Sequence, residues 1–250
     1  MARSFVAASS QSLLAATTPI TATPLTVACW YTLTSTATGS ARTLISISSQ
    51  ADDNNFFRLA ANDGVNGRID AETKGSASTF QSTYTLPGFA VNTWFHAAAV
   101  FASPTSRIAY GDGVAGTENT TSQTPAGLST ISVGVLKRTG HVHYHDGLLK
   151  LPAIWDVALT ADEMAQLATG VWPGKIRPES LVGFWPLWGD DSPEPDFAAG
   201  ARQLTVTGAT KSDSGPPVQP MSSMWWGSCA DVSVAGGGGN RRRRILLGAA

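Results

Sequence analysis

Charge is scarce in this chain. Only 14% of its 250 residues are Asp, Glu, Lys or Arg, and the formal net charge is −1. With 25 Gly and 14 Pro beside abundant Thr, Ser, Val and Ala, the composition disfavours a helical enzyme. It describes a β-sandwich, in which turn formers punctuate short pleated runs. Cysteine is nearly absent: Cys29 and Cys229 stand near opposite ends. They would pair only if the C-terminal region folded back beside the first core strand. The simpler expectation is two independent thiols, with Cys29 buried as a small apolar residue. A domain of this length needs no covalent staple, and nothing implies an oxidising compartment. Long apolar runs are missing too. None approaches the roughly 20 residues that cross a bilayer, and the opening Met1–Gln11 lacks the sustained apolar stretch of an export signal. No membrane partner is expected.

What is present is a succession of strand patterns. The β-branched and aromatic run Leu25–Leu33 suits a buried strand, and Thr43–Ser48 alternates. Asn54–Ala60, Trp94–Phe101, Ser106–Gly113, Ile131–Gly134 and Leu181–Leu187 continue the series, divided by turn signals. One helix signal interrupts it. A strand ending at Trp155 runs into Thr160-Ala161-Asp162-Glu163, a capping box, and Gly170 follows where a left-handed cap would stop the helix. The expected fold is all-β: a sandwich of two antiparallel sheets, one short helix and an extended C-terminal arm. In the arm, Met221, Met224, Trp225 and Trp226 form an apolar patch, and Gly236–Asn240 is a flexible spacer. Arg241, Arg242, Arg243 and Arg244 then precede Ile245, Leu246 and Leu247, so a mildly acidic body carries a compact basic tag.

The order of several motifs resembles the laminin-G-like, concanavalin A-like jelly rolls. Phe5 with Ser9–Leu13 is similar to the opening strand of that family, and Leu25–Trp30 to its second. Thr93–Ala98 resembles its W-x-H-x-A strand, and Gly147–Leu167 its strand–Trp–Asp–helix segment. Leu204–Ala209 with Gly215–Val218 resembles a closing strand. The resemblance implies a jelly-roll domain over residues 1–218 and leaves 219–250 as the arm. Members of the family include glycan-binding lectin-like domains, calcium-assisted adhesion modules and structural proteins of tailed bacteriophages. A Gly-rich spacer followed by an arginine cluster resembles the last group.

Candidate chemistry is thin. His141, His143 and His145 would share one face of a strand at about 7 Å spacing, which fits a solvent-facing edge or an inter-subunit contact better than converging zinc ligands. Acidic clusters at Asp52-Asp53 and at Asp190, Asp191 and Asp196 could hold calcium, the second cluster being the better candidate. No other cofactor is expected. Glycoside hydrolysis needs two carboxylates across a cleft, and no E-x-D-x-x-E strand occurs. Glu72, Glu118, Glu163, Glu179 and Glu194 each read as isolated from a strand-borne acidic partner, and His96 reads as a satisfied structural histidine. An enzyme is not expected. Trp30, Trp94, Trp155 and Trp185 belong to strand patterns and read as core, leaving Trp172, Trp188, Trp225 and Trp226 in loop or tail sequence, with Trp172 and Trp188 the candidate platforms for stacking a sugar. Arg241–Arg244 would bind an acidic groove on a protein rather than nucleic acid, with Met224, Trp225, Trp226 and Ile245–Leu247 as apolar anchors. Together these give a leading expectation of a non-enzymatic phage virion protein, a capsid decoration or tail component. It would be held to other virion subunits by its arm and would form a homo-oligomer on the particle. The alternative is a carbohydrate-binding module for host glycans, with or without calcium assistance.

Overall fold

The computed structural model describes residues 1–34, 40–62, 67–75, 79–86 and 90–219. The chain runs β1 (Ala2–Phe5), β2 (Ser12–Ala15), β3 (Leu25–Tyr31), β4 (Ala41–Ser48), β5 (Phe56–Asn62), β6 (Arg68–Lys74), β7 (Gln81–Thr85), β8 (Phe95–Ser103) and β9 (Ser106–Gly111). It continues with β10 (Val114–Ala115), β11 (Thr130–Val133), β12 (Leu136–Lys137), β13 (His141–Val142) and β14 (Gly147–Trp155). Helix α1 (Ala161–Ala168) precedes β15 (Leu181–Phe184), β16 (Thr205–Thr207) and β17 (Thr210–Ser212). An eight-stranded sheet has the order β10-β9-β8-β3-β14-β1-β17, with β15 also on β14. A seven-stranded sheet has the order β16-β2-β11-β4-β5-β6-β7, and β12–β13 form a separate hairpin. All pairings are antiparallel.

The two sheets enclose the main core. Leu25, Val27, Cys29 and Tyr31 of β3 meet Ile45 and Ile47 of β4, Phe57 and Leu59 of β5, and Ile131 and Val133 of β11. Alternate residues point to opposite faces of a strand, so Ala28 and Trp30 of β3 emerge on the far side. A second core there gathers Ala98, Val100, Ala153 and Trp155 under Met164 and Leu167 of α1. This double burial is why β3 reads as a continuous apolar run. Cys29 lies in the main core as a free thiol, and burial raises its pKa far above the ordinary range. Cys229 lies outside the described residues.

Strand β14 organises the first sheet. One edge pairs with β3, while the other is shared by β1 at its start and β15 at its end. The handover coincides with a bulge between Lys150 and Ala153, where Leu151 takes φ +51 and Pro152 lacks a donor the ladder would use. Gly147 opens the strand at φ +147, and an added Cβ there would lie 2.0 Å from Thr32 O. Any other residue would break that close approach.

The capping box forms as expected. Thr160 Oγ1 accepts from Glu163 N at 3.3 Å, and Thr160 N donates to Glu163 Oε2 at 2.7 Å. Because two otherwise orphaned backbone donors are satisfied, Thr160→Ala should cost about 1 kcal/mol. Urea denaturation of the variant measures this, and an unchanged midpoint would show the cap to be redundant. Gly170 follows at φ +88. Gln219 N donates to Gly170 O and Gln219 O accepts from Trp172 Nε1, so the last described residue is held to the turn after α1.

Candidate functional site

On the seven-stranded sheet Phe57, Leu59 and Ala61 of β5 and Ile69 and Ala71 of β6 point into the core. Alternation therefore puts Arg58, Arg68, Asp70 and Glu72 on the outer face. Strand register aligns them in rows. Ser132, Ser46, Arg58, Glu72 and Ser82 lie side by side across β11, β4, β5, β6 and β7, and Ala60, Asp70 and Tyr84 form the neighbouring row. Arg58 is 5% exposed and donates from Nε to Glu72 Oε2 at 2.7 Å, with its Nη2 on the same oxygen. Arg68 Nε donates to Asp70 Oδ2 at 3.0 Å and its guanidinium lies 5.1 Å from the centroid of Tyr84, whose side chain is half exposed. Arg58 Nη1 and Asp70 Oδ1 are buried without a hydrogen-bond partner. Burial pushes the Asp70 carboxyl up to about 6, aided by the charge of Glu72 and opposed by Arg68 and Arg58.

This corrects the expectation for Glu72. It is not isolated: Asp70 stands two positions before it, on the same strand and the same face. The residues were legible as Arg68-Ile69-Asp70-Ala71-Glu72-Thr73-Lys74, a strict alternation with a charge or hydroxyl opposing each apolar or small residue except at Thr73.

The β12–β13 hairpin roofs part of this face. Ser46 Oγ and Ser132 Oγ donate to Val135 O at 3.1 and 3.0 Å, and Thr43 N donates to His143 O at 3.0 Å. Arg138 Nη1 donates to Asp53 O at 2.9 Å, and Arg42 Nη1 to Tyr144 O at 3.2 Å. The expected histidine ladder does not form, because β13 ends at Val142 and His143 turns the chain at φ +56. His141 and His143 are exposed, whereas His145 is fully buried edge-on to Phe5 at 5.9 Å.

The other expected residues lie elsewhere. Trp172 packs edge-on to Phe184, and Trp188 edge-on to Phe197 at 5.1 Å, with Lys150 Nζ 5.8 Å from the Trp188 centroid. Both tryptophans are half-buried and already carry ring contacts. Trp30, Trp155 and Trp185 are core, but Trp94 precedes β8, is half-buried and donates from Nε1 to Ser214 Oγ at 3.1 Å. His96 is buried, yet its Nδ1 has no partner, so it is structural without being satisfied. Asp190 pairs with Lys211 Nζ at 2.6 Å. The Asp196 carboxylate accepts from the backbone N–H groups of Phe184, Ala198 and Arg202, closing its own loop. Asp191 offers its carbonyl oxygen to Arg3. The three carboxylates are not brought together: among the described residues no group of three or more His, Cys, Asp or Glu is placed to hold a metal ion. Glu194 has no acidic strand partner among the described residues, as expected, but is fully buried against Arg3. Met224, Trp225, Trp226, Arg241–Arg244 and Ile245–Leu247 lie outside the described residues.

The family model Laminin_G_3, described as the Concanavalin A-like lectin/glucanases superfamily, matches residues 7–165. No curated protein matches in sequence. Among solved structures, a putative carbohydrate binding protein from Bacteroides ovatus superposes with TM-score 0.60 at 16% identity, over 87% of this chain and 61% of that one. The chain thus spans less than two thirds of that protein. A native heptameric SAP-like pentraxin from Limulus polyphemus gives TM-score 0.52 at 15% identity, over 63% and 75%. The CBM40 of the Ruminococcus gnavus IT-sialidase, bound to α2,3 sialyllactose, gives 0.51 at 13%, over 59% and 83%. At these identities the likeness is one of fold. The expected virion setting has no counterpart in these descriptions.

Proposed function

This chain belongs to the Laminin_G_3 family of the concanavalin A-like lectin/glucanases superfamily, and on that premise we propose that it is a carbohydrate-binding module without catalytic activity, with the outer face of its seven-stranded sheet as the binding surface. One observation carries the reading. Arg58 Nη1 and Asp70 Oδ1, a donor and an acceptor buried without partners, lie on adjacent strands, and the half-exposed ring of Tyr84 stands next to Asp70 on β7. Sugar hydroxyls both donate and accept, and the apolar face of a pyranose stacks on an aromatic ring, so this pairing suits a saccharide. The Bacteroides carbohydrate binding protein and the sialyllactose-bound Ruminococcus CBM40 support the reading as a use to which the same fold is put.

Tyr84→Ala should weaken binding of the best ligand from a glycan array about tenfold, or ~1.4 kcal/mol by calorimetry, and Asp70→Asn should weaken it as well. Wild-type affinity in both variants would remove the surface from consideration. A hydrolase is the second reading, favoured by Asp70 and Glu72 lying two positions apart on one strand, about 7 Å by strand rise. Against it, Glu72 Oε2 is held by Arg58 Nε at 2.7 Å. We expect no release of reducing ends from any bound polysaccharide; release that Asp70→Asn abolishes would establish the hydrolase instead.

A further inference from the structure

The hairpin lies over the row that holds Arg58: Ser46, paired with Arg58, donates to Val135 O, Ser48 donates to Lys137 O, Thr43 N donates to His143 O, and Arg42 donates to Tyr144 O. The charges of Arg58 on β5, Arg138 in the hairpin and Arg42 on β4 all bear on His143. The acids nearby are engaged. Glu72 takes Nε and Nη2 of Arg58, and Asp53 accepts Arg138 Nη1 on its backbone oxygen, with its carboxylate 3.9 Å from Arg138 Nε and bonded to Thr139 Oγ1. Asp70 pairs with Arg68 further along β6. Two guanidinium N–H groups are then left over: Arg58 Nη1 and Arg138 Nε are buried and have no hydrogen-bond partner. Arg58 is itself 5% exposed, so bulk water does not satisfy it. A buried donor without a partner is costly, and a guanidinium donor most of all.

We propose that this cluster is an anion subsite, in which Arg58 and Arg138 donate to an oxyanion carried by a sugar, so that the preferred ligand is an acidic polysaccharide. Arginine suits the role because its planar fork stays charged and matches carboxylate and sulfate oxygens geometrically. The side chain of His143 would border the anion without needing to carry charge: partial burial and then the three arginines hold its pKa down to about 4. The inference rests on the reading of the outer face as a glycan surface and adds the class of glycan.

The test compares three galacto-tetrasaccharides on the full chain by calorimetry: neutral galactotetraose, tetragalacturonate, and a sulfated galactan tetramer. Inorganic sulfate alone is a fourth titrant. One of the acidic tetramers should bind at least tenfold more tightly than the neutral one, and which one does so identifies the oxyanion as carboxylate or sulfate. That preference should shrink with added salt and fall to within about twofold in Arg138→Gln. Arg58→Gln alone would strand Glu72, so the charge-balanced pair Arg58→Gln with Glu72→Gln is the second variant, and it should lose the preference too. Equal affinity for neutral and acidic tetramers overturns the anion subsite and leaves the glycan surface standing. A preference that survives both variants also overturns it. Binding of sulfate without any tetramer, or of nothing at all, overturns both.

Discussion

Lowering the pH from 7 to 4 should remove at least about 3 kcal/mol from the stability of the sandwich. His145 and His96 drive the loss. Both are buried, and burial lowers their pKa values from 6.5 to about 4 and about 3. Between those values and 6.5 the unfolded chain binds protons that the native state refuses. Stability is therefore complete above about 6.5 and falls as the pH drops through that window. At ~1.4 kcal/mol per pKa unit, each of these two contributes about 3 kcal/mol by pH 4; His143, also held down to about 4 but exposed, adds a smaller, solvent-screened share in the same direction. Asp70 acts in the opposite sense. Its carboxyl is raised to about 6, so the native state takes up a proton first, and acidification returns roughly 2–3 kcal/mol between 6 and 4. Glu163 and Asp146, held below the usual range by Arg177 and Thr34 hydrogen bonds among other contacts, add to the loss at the acid end. Urea midpoints at pH 7 and 4 measure the net. His145→Phe keeps a ring against Phe5 but cannot take up a proton, so its stability should vary less with pH. Equal wild-type midpoints at the two pH values would refute the assignment.

Arg3→Ala should cost about 3–5 kcal/mol, because it leaves a buried carboxylate without its cation. Arg3 Nε donates to Glu194 Oε1 at 2.6 Å, Nη1 donates to Ala209 O at 2.9 Å, and Nη2 donates to Asp191 O. Arg3 is 5% exposed and Glu194 0%. One guanidinium thus fastens β1 to the segments before β16 and between β16 and β17. For a domain of this length the melting temperature should fall on the order of 10 °C. Replacing both partners, Arg3→Met with Glu194→Leu, should recover much of the loss, since no charge is then stranded. Calorimetry of the single and double variants reads this directly. A double variant as unstable as the single one would locate the cost in the two backbone carbonyls rather than in the stranded charge.

Much of the fold was legible where signal and cause are local. The run from Gly147 to Leu167 forms the strand and capped helix its residues prescribe, because a capping box and a glycine at positive φ depend on neighbours a few positions away. Trp30, Trp155 and Trp185 read correctly as core for the same reason. Glu194 did not, since its partner lies at position 3 and no periodicity reports a contact across the whole chain. The histidines misled because alternation was assumed to persist through His143, where the backbone leaves the strand. Asp70 and Glu72 escaped because a fixed spacing of acids was sought, while the informative pattern was simpler: polar side chains at every other position of a strand whose remaining positions are apolar.

The position of β1 has a consequence for the order of events during synthesis. It is an interior strand, with Arg3 paired to Leu149 on one side and to Lys211 on the other. Strand β1 must therefore wait, exposed, until nearly the last of the described sandwich has been made. Such closure over long sequence separations is slow. A ribosome-bound chain stopped before Thr210 should remain sensitive to protease at its N-terminal strand, with the first sheet an open edge seeking a partner.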